Sequence, residues 1–340
     1  MKKLYFVFIL IVAGINVRSQ DIHFSQFDQN PMILNPAYAG MYDGTFRFNL
    51  NYKNQWAALG NVFETYSAST DYIIFKNSMG MKSTGLGVSA YQDVAGSSRT
   101  KTTRVDLNLS QTIYLNMNAD LTLGVGFSYL DMSANFNGLN WGSQYDGVEF
   151  DQSIGSGEAF SGYAEKGFDL SAGMLFRWYD NGLDPFELGV STSHLARPQF
   201  TILSQEDNIP VRVNIHVLKE YTFPNFNNWG VKGVGYFSSQ RTAKELVIGG
   251  FMRRDFGMVS KYTGYYKNVN FYFGAYYRVG DAFIPSFLLT VHRKISFGMS
   301  YDFTVSQLSN TNSFRGGPEL SFSYIGPFKP VVVISPKNFD

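Results

Sequence analysis

The sequence predicts an all-β protein: a transmembrane antiparallel β-barrel of about 14 strands, with an N-terminal segment at or in its periplasmic mouth. Three observations lead there. Apolar and polar residues alternate strictly through one segment after another. Many of these segments run to about 9–12 residues, the length of a tilted membrane-crossing strand, against 5–6 for the usual soluble strand. Only 16% of the 340 residues are charged while 17% are aromatic, where a soluble domain carries about 25% charged residues.

The chain opens with Lys2 and Lys3, an apolar run from Leu4 to Val17, and Arg18-Ser19-Gln20. A positive head, a greasy stretch and a small residue describe a secretory leader, cleaved after Ser19. The alternative is an N-terminal membrane anchor, but a spanning helix needs about 20 apolar residues.

Residues 20–44 form the next unit, centred on "NPMILNPAYAG" (30–40). Asn35 suits a helix N-cap, Pro36 the first helical position, and Gly40 a left-handed C-terminal cap. "NPAYAG" therefore reads as one helical turn before the first strand. Asn30-Pro31 makes an earlier turn, and Met32, Ile33 and Leu34 are apolar residues that need cover. The segment is expected to fold against or into the periplasmic mouth as a plug, with Tyr38 and the Ile33-Leu34 pair as anchors. The simpler alternative is a turn that only sets the register of the first strand.

Strands then follow through residues 45–325. In "TFRFNLNYK", Phe46, Phe48, Leu50 and Tyr52 oppose Arg47, Asn49, Asn51 and Lys53. "TRVDLNLSQTIYL" sets Val105, Leu107 and Leu109 against Arg104, Asp106 and Asn108, and "LTLGVGFSY" and "FDLSAGMLFRW" repeat the scheme. Fourteen strands are expected near 45–53, 64–75, 84–92, 101–115, 119–136, 166–178, 186–194, 211–223, 229–238, 243–254, 268–279, 282–291, 294–303 and 319–325. Residues 256–267 read as a continuation of a neighbour.

A soluble sandwich would also alternate, by burying two apolar faces on each other. The strand lengths favour the barrel, as do small polar-face residues (Gly124, Gly126, Gly173, Gly274, Gly298) and aromatics toward strand ends. Bacterial barrels start and end in the periplasm and carry their long loops outside. Gaps 137–165, 195–210 and 304–318 all fall outside if the count is fourteen; twelve and sixteen are the alternatives. Arg47, Lys53, Arg104, Asp106, Asp169, Arg177, Arg212, Arg278 and Asp302 then project into the lumen. Cross-strand pairing is the expected state, since unpaired charge away from water is costly. An anion-leaning channel is the alternative.

Several chemistries find no support. Net charge is +1, so nothing draws the chain to nucleic acid. With no cysteine there is no disulfide, thiolate metal site or lipid-anchored cysteine. His23, His194, His216 and His292 stand in no metal-binding spacing. Nothing indicates that a nucleophile in Ser191–His194 is held against a base and an orienter as in a hydrolase, "GSGEAF" lacks the third glycine of a nucleotide loop, and Asp146, Glu149 and Asp151 do not match an EF-hand. No catalytic residue, cofactor or metal is expected.

"QDIHFSQFDQNPMILNPAYAG" directly after a leader, with "GMSYDFTVSQLSN" and "GGPELSFSY" near the end, resembles the PorP/SprF family of outer-membrane proteins. The resemblance covers nearly the whole mature chain. It implies a barrel of the type IX secretion system of Bacteroidota, associated with export or surface retention of large adhesins and, in gliding bacteria, with motility. The partners it implies are a secreted adhesin or its C-terminal domain and other components of that system, besides outer-membrane lipid. The chain departs from the family in continuing for 15 residues after the last strand, as the periplasmic tail "GPFKPVVVISPKNFD" (326–340). "LSFSYI" must then supply the assembly signal internally. Trp141, Tyr145, Phe150, Phe160 and Tyr163 cluster in the longest external loop. They are the expected contact surface for the partner, since exposed aromatic clusters mark binding; self-packing over the barrel mouth is the alternative. A porin or small-molecule transporter is the competing function.

Overall fold

The computed structural model describes residues 21–326, apart from 56–62, 77–81, 137–138, 152, 156–161, 181–183, 203–204, 224–225, 227, 260–265 and 307–314. The expected leader (1–19) and most of the tail (327–340) lie outside the described residues.

The barrel strands are β1 (Phe46–Asn54), β2 (Phe63–Lys76), β3 (Lys82–Ala95), β4 (Thr100–Asn116), β5 (Ala119–Asn135), β6 (Gly162–Asp180) and β7 (Asp184–Ser193). A small hairpin, β8 (Gln199–Ile202) and β9 (Gln205–Asn208), intervenes. The barrel resumes with β10 (Arg212–Thr222), β11 (Trp229–Gln240), β12 (Ala243–Val259), β13 (Tyr266–Arg278), β14 (Ala282–Val291), β15 (Ile295–Thr304) and β16 (Arg315–Ile325). Each barrel strand pairs antiparallel with the next, and β1 pairs with β16 from Arg47↔Ile325 to Lys53↔Glu319, closing a fourteen-stranded barrel. Closure leaves no sheet edge, which is what lets a sheet cross hydrocarbon with every backbone group paired.

Alternation decides which face meets what. Along β4, Val105, Leu107 and Leu109 are exposed on the outer surface while Asp106, Asn108 and Ser110 are buried inside. An outer surface this apolar is lipid-facing. The chain enters β1 and leaves β16 at one end, which also carries the short Met117-Asn118 turn. The 136–161 and 194–211 connections lie at the other end, which is therefore extracellular.

Three details differ from the sequence reading. Several strands are longer than expected, most of all β3, β6 and β12; residues 255–259 extend β12, and 266–267 begin β13. The β8–β9 hairpin lies within a gap read as loop, because four-residue strands are too short to show a period. Its Phe200 is buried close over Gly167 of β6. The lumen is also not uniformly polar. On β11–β14, Val234, Tyr236, Val247, Phe251, Tyr272, Tyr276 and Ile284 point inward and form one apolar cluster with Phe27 and Leu34. In "VNFYFGAYYR" both faces are aromatic, so alternation there does not distinguish inside from outside.

Candidate functional site

Residues 21–44 run the length of the lumen. They fold into a 3-10 turn (Phe27–Gln29), one turn of α-helix (Pro31–Leu34) and a second 3-10 turn (Pro36–Tyr38). The segment ends at the periplasmic mouth but is not confined to it, since its first residues lie among the outer ends of the strands.

At the outer end, Asp21 meets His194 Nε2 at 2.6 Å and Arg212 at 3.6 Å, and its backbone N–H donates to Gln240. His194 Nδ1 lies 2.9 Å from Asp169, which also receives Arg104 at 3.7 Å. Burial alone would lower the His194 pKa, but the two flanking carboxylates hold it up, at about 9. The imidazolium in turn holds the Asp21 carboxyl below its usual range despite burial. Arg104 binds Asp106 at 2.6 Å. Arg212 donates to Ile22 O at 2.9 Å and to the Tyr236 hydroxyl at 2.8 Å.

The next anchor is a buried carboxylate. Ser25 N and Gln26 N donate to the two oxygens of Glu319 at 2.7 and 2.8 Å, and Ser25 Oγ donates to Asp302. Lys53 donates to His23 O at 3.0 Å and stands 3.8 Å from Glu319. Arg278 reaches Ser25 Oγ at 2.7 Å and pairs with Asp302, Glu245 and Asp281. Farther in, Asp28 pairs with Lys232 and accepts from the Tyr276 hydroxyl at 2.6 Å. Phe27 stacks on Tyr236 at 5.1 Å between ring centroids. The segment is thus amphipathic, with its apolar side toward β11–β14.

The "NPAYAG" turn makes the tightest contact with the wall. Pro31 stands at the start of the α-turn, and Asn30 donates to Ser67 at 2.7 Å. Met32 and Leu34 are buried, whereas Ile33 is half-buried against a small internal cavity of about 50 Å³. Leu34 O accepts from Ser191 Oγ. Asn35 Oδ1 caps Ala37 N at 2.9 Å while its amide donates to Met174 O and Val190 O on the wall. Tyr38 donates to Glu187 at 2.9 Å and stacks on His216. Gly40, at φ +71°, donates its N–H to Asp71 at 2.7 Å, and Arg47 clamps Asp71 with two hydrogen bonds and Tyr38 O with a third. Opposite the turn, Gly173, Gly124 and Gly85 leave room for Asn35 Oδ1, Ala37 N and Ala39 O, which a Cβ at each would overlap.

Two larger open spaces flank the turn. An outer vestibule of about 400 Å³ is lined by Asp21, Ile22 and Phe200, and a periplasmic one of about 500 Å³ by Met41, Tyr42 and Arg177. They share no lining residue, and between them Ala37 and Ala39 are 0% and 1% exposed. Among the described residues, this turn fills the lumen between the two spaces.

All nine lumen charges named from sequence point inward and are paired; Arg177 binds Asp120 at 2.9 Å. Several partners were not legible: Asp71 and Glu319 lie in segments whose phase is short or interrupted, and Asp21 and Asp28 lie outside any strand. In the long loop, Tyr145 and Phe150 are half-exposed and in ring contact at 5.2 Å. Trp141 is partly buried with its ring edge-on to Phe136. Tyr163 stands in β6 opposite Ala134, and Phe160 lies outside the described residues.

The family described as "Type IX secretion system membrane protein PorP/SprF" matches this chain over residues 16–324. Comparison with the curated proteins gives no match. Solved structures with a similar course include a Pseudomonas aeruginosa FadL homologue, at 10% identity over 85% of this chain and 92% of that one, with a TM-score of 0.47. The CymD monoaromatic hydrocarbon channel is similar at 10% identity over 89% and 94%, with a TM-score of 0.46. BamA from Haemophilus ducreyi lacking POTRA domains 1–3 is similar at 8% over 83% and 70%, with a TM-score of 0.41. Likeness at this level adds no argument to the barrel already described.

Proposed function

The chain belongs to the PorP/SprF family of type IX secretion system membrane proteins, and from that premise we propose that it is a plugged outer-membrane scaffold for a large secreted adhesin. On this reading the extracellular loops bind the adhesin's C-terminal domain, assisting its export or anchoring it at the surface in support of gliding motility. Other components of the secretion system complete the assembly.

The observation that supports a scaffold over a porin is the seated turn at Asn35–Gly40. Its backbone and side chains are hydrogen-bonded to Asp71, Ser110, Met174, Val190 and Glu187 around the wall. Buried polar groups are placed across the pore with their hydrogen bonds met by the wall, which favours a shut pore. The loops are then left as the binding surface.

Pull-down of the full chain from detergent-extracted outer membranes tests this. A large secreted protein recovered through its C-terminal domain, and lost when that domain is deleted, is the expected result. Recovery of nothing specific, together with steady single-channel conductance of the purified barrel, would return the protein to the porin class.

A further inference from the structure

We infer that Arg254 is a seat for the phosphate of a membrane phospholipid, on the outer surface of the barrel toward its periplasmic end. The inference needs only the lipid-facing wall and does not depend on whether the loops bind an adhesin.

Arg254 belongs to the outward face of β12. Its chain neighbours Arg253 and Asp255 form an ion pair on the lumen side at 3.2 Å, whereas Met252 and Phe256, which share its face, are exposed. β12 runs from the Arg241-Thr242 turn at the extracellular end to Val259 at the periplasmic end, so Arg254 stands in its periplasmic third. Across the sheet it lies opposite Trp229, the first residue of β11, and Phe271 of β13. Its guanidinium carbon is 4.7 Å from the Trp229 ring centroid and 5.5 Å from that of Phe256. Phe271 continues the patch with edge-on contacts to Phe256 and Phe287.

A cation on the lipid-facing surface is costly unless an anion meets it there. The nearby carboxylates Glu220 and Asp255 are taken up by Arg253 inside, and among the described residues Arg254 has no carboxylate within ion-pair distance. A guanidinium held over aromatic rings keeps its in-plane N–H groups for an acceptor, and its fork matches two oxygens of a phosphate. Tryptophan in a barrel wall settles at the level of the lipid headgroups, so the anion that this face meets at the height of Trp229 is a phospholipid phosphate. The arrangement recurs on the same girdle. Lys219, on the outward face of β10, holds its Nζ 5.9 Å from the ring centroid of Trp178, two residues from the periplasmic end of β6.

The test titrates the purified full chain, in a non-ionic detergent, with dioleoyl phosphatidylethanolamine and reads the first bound lipid by native mass spectrometry. Dioleoylglycerol, which has the same chains without the phosphate, should bind about tenfold more weakly. Arg254→Gln should weaken phosphatidylethanolamine by about the same factor. Trp229→Leu keeps the charge but removes its seat and should weaken binding in the same direction, which preserves the test if Arg254→Gln does not fold. Lys244→Gln, on the outward face of β12 at the extracellular end, should bind as the unaltered protein does. Unchanged binding in Arg254→Gln or Trp229→Leu, or an equal loss in Lys244→Gln, overturns the site. Equal binding of dioleoylglycerol, or displacement of the lipid by inorganic phosphate at a similar concentration, overturns its assignment to a phospholipid.

Discussion

The backbone N–H of Ser25 donates to Glu319 at 2.7 Å, joining residues 294 positions apart at opposite ends of the chain. The partner pairing of Lys53 with Glu319 lies across the seam where β1 meets β16. The contact that holds the plug therefore also ties the first strand to the last, and the seam and the plug should loosen together.

Glu319→Gln should free the plug. The amide can accept from only one of the two backbone donors, and its own NH₂ faces the other; Lys53 also loses its nearest carboxylate, keeping Asp302 at 3.9 Å. Breaking a buried charged pair by altering one partner costs roughly 3–5 kcal/mol. Single-channel recordings should show intermittent openings in Glu319→Gln where the unaltered barrel is silent. Identical traces would mean that Glu319 does not hold the plug.

The glycine cradle gives a steric test. A side chain at Gly173 overlaps Asn35 Oδ1, and one at Gly124 overlaps Ala37 N. Neither contact can yield without moving the turn, because Asn35 is held to two wall carbonyls. Gly173→Val and Gly124→Val should each give steady conductance while the barrel still folds. Gly233→Ala, whose new methyl meets nothing within 4 Å, should behave as the unaltered protein.

The outer latch should depend on pH in a stated direction. His194 in the folded protein stays protonated up to about 9, against about 6.5 when unfolded. Its contribution is complete below pH 6.5 and is lost as pH rises through 9; the difference corresponds to about 3 kcal/mol. Asp21 is lowered from 3.8, so its contribution is complete above that value and is lost only in stronger acid. Limited proteolysis of residues 21–30 should be flat from pH 5 to 7 and accelerate toward pH 9.5. His194→Gln should remove the alkaline acceleration; its persistence would place the titrating group elsewhere.

Much of this was legible in the sequence, and the reasons for the remainder are physical. Alternation located most of the strands because each face meets a different medium, and the end on which the long gaps fall selected fourteen. The capping chemistry of Asn35, Pro36 and Gly40 is local, and the turn it implies is the one found. Gly124 and Gly173 read as crowding in the lumen without revealing what crowds them. The path of the plug was not legible, since nothing in "QDIHFSQFDQ" says that Asp21 will meet a histidine 173 residues away. The inward aromatics Tyr236, Tyr272 and Tyr276 were hidden for another reason: an aromatic signals burial without saying which face of a two-sided wall it lies on.

The long extracellular loop provides the last prediction. Tyr145 and Phe150 are both 50% exposed, and a backbone bridge joins the two residues. The ring pair therefore sits on a small framework that does not need the rings to persist. Aromatic side chains half in water and rigidly presented are favoured as binding anchors, where truncation commonly costs 2 kcal/mol or more, about thirtyfold in affinity. Truncating both in Tyr145→Ala/Phe150→Ala should lower recovery of a secreted partner at least tenfold. Barrel stability should not change, because both rings stand half in water on the loop. If recovery and stability fall together, the pair supports the barrel mouth; if neither falls, the contact surface lies on another loop.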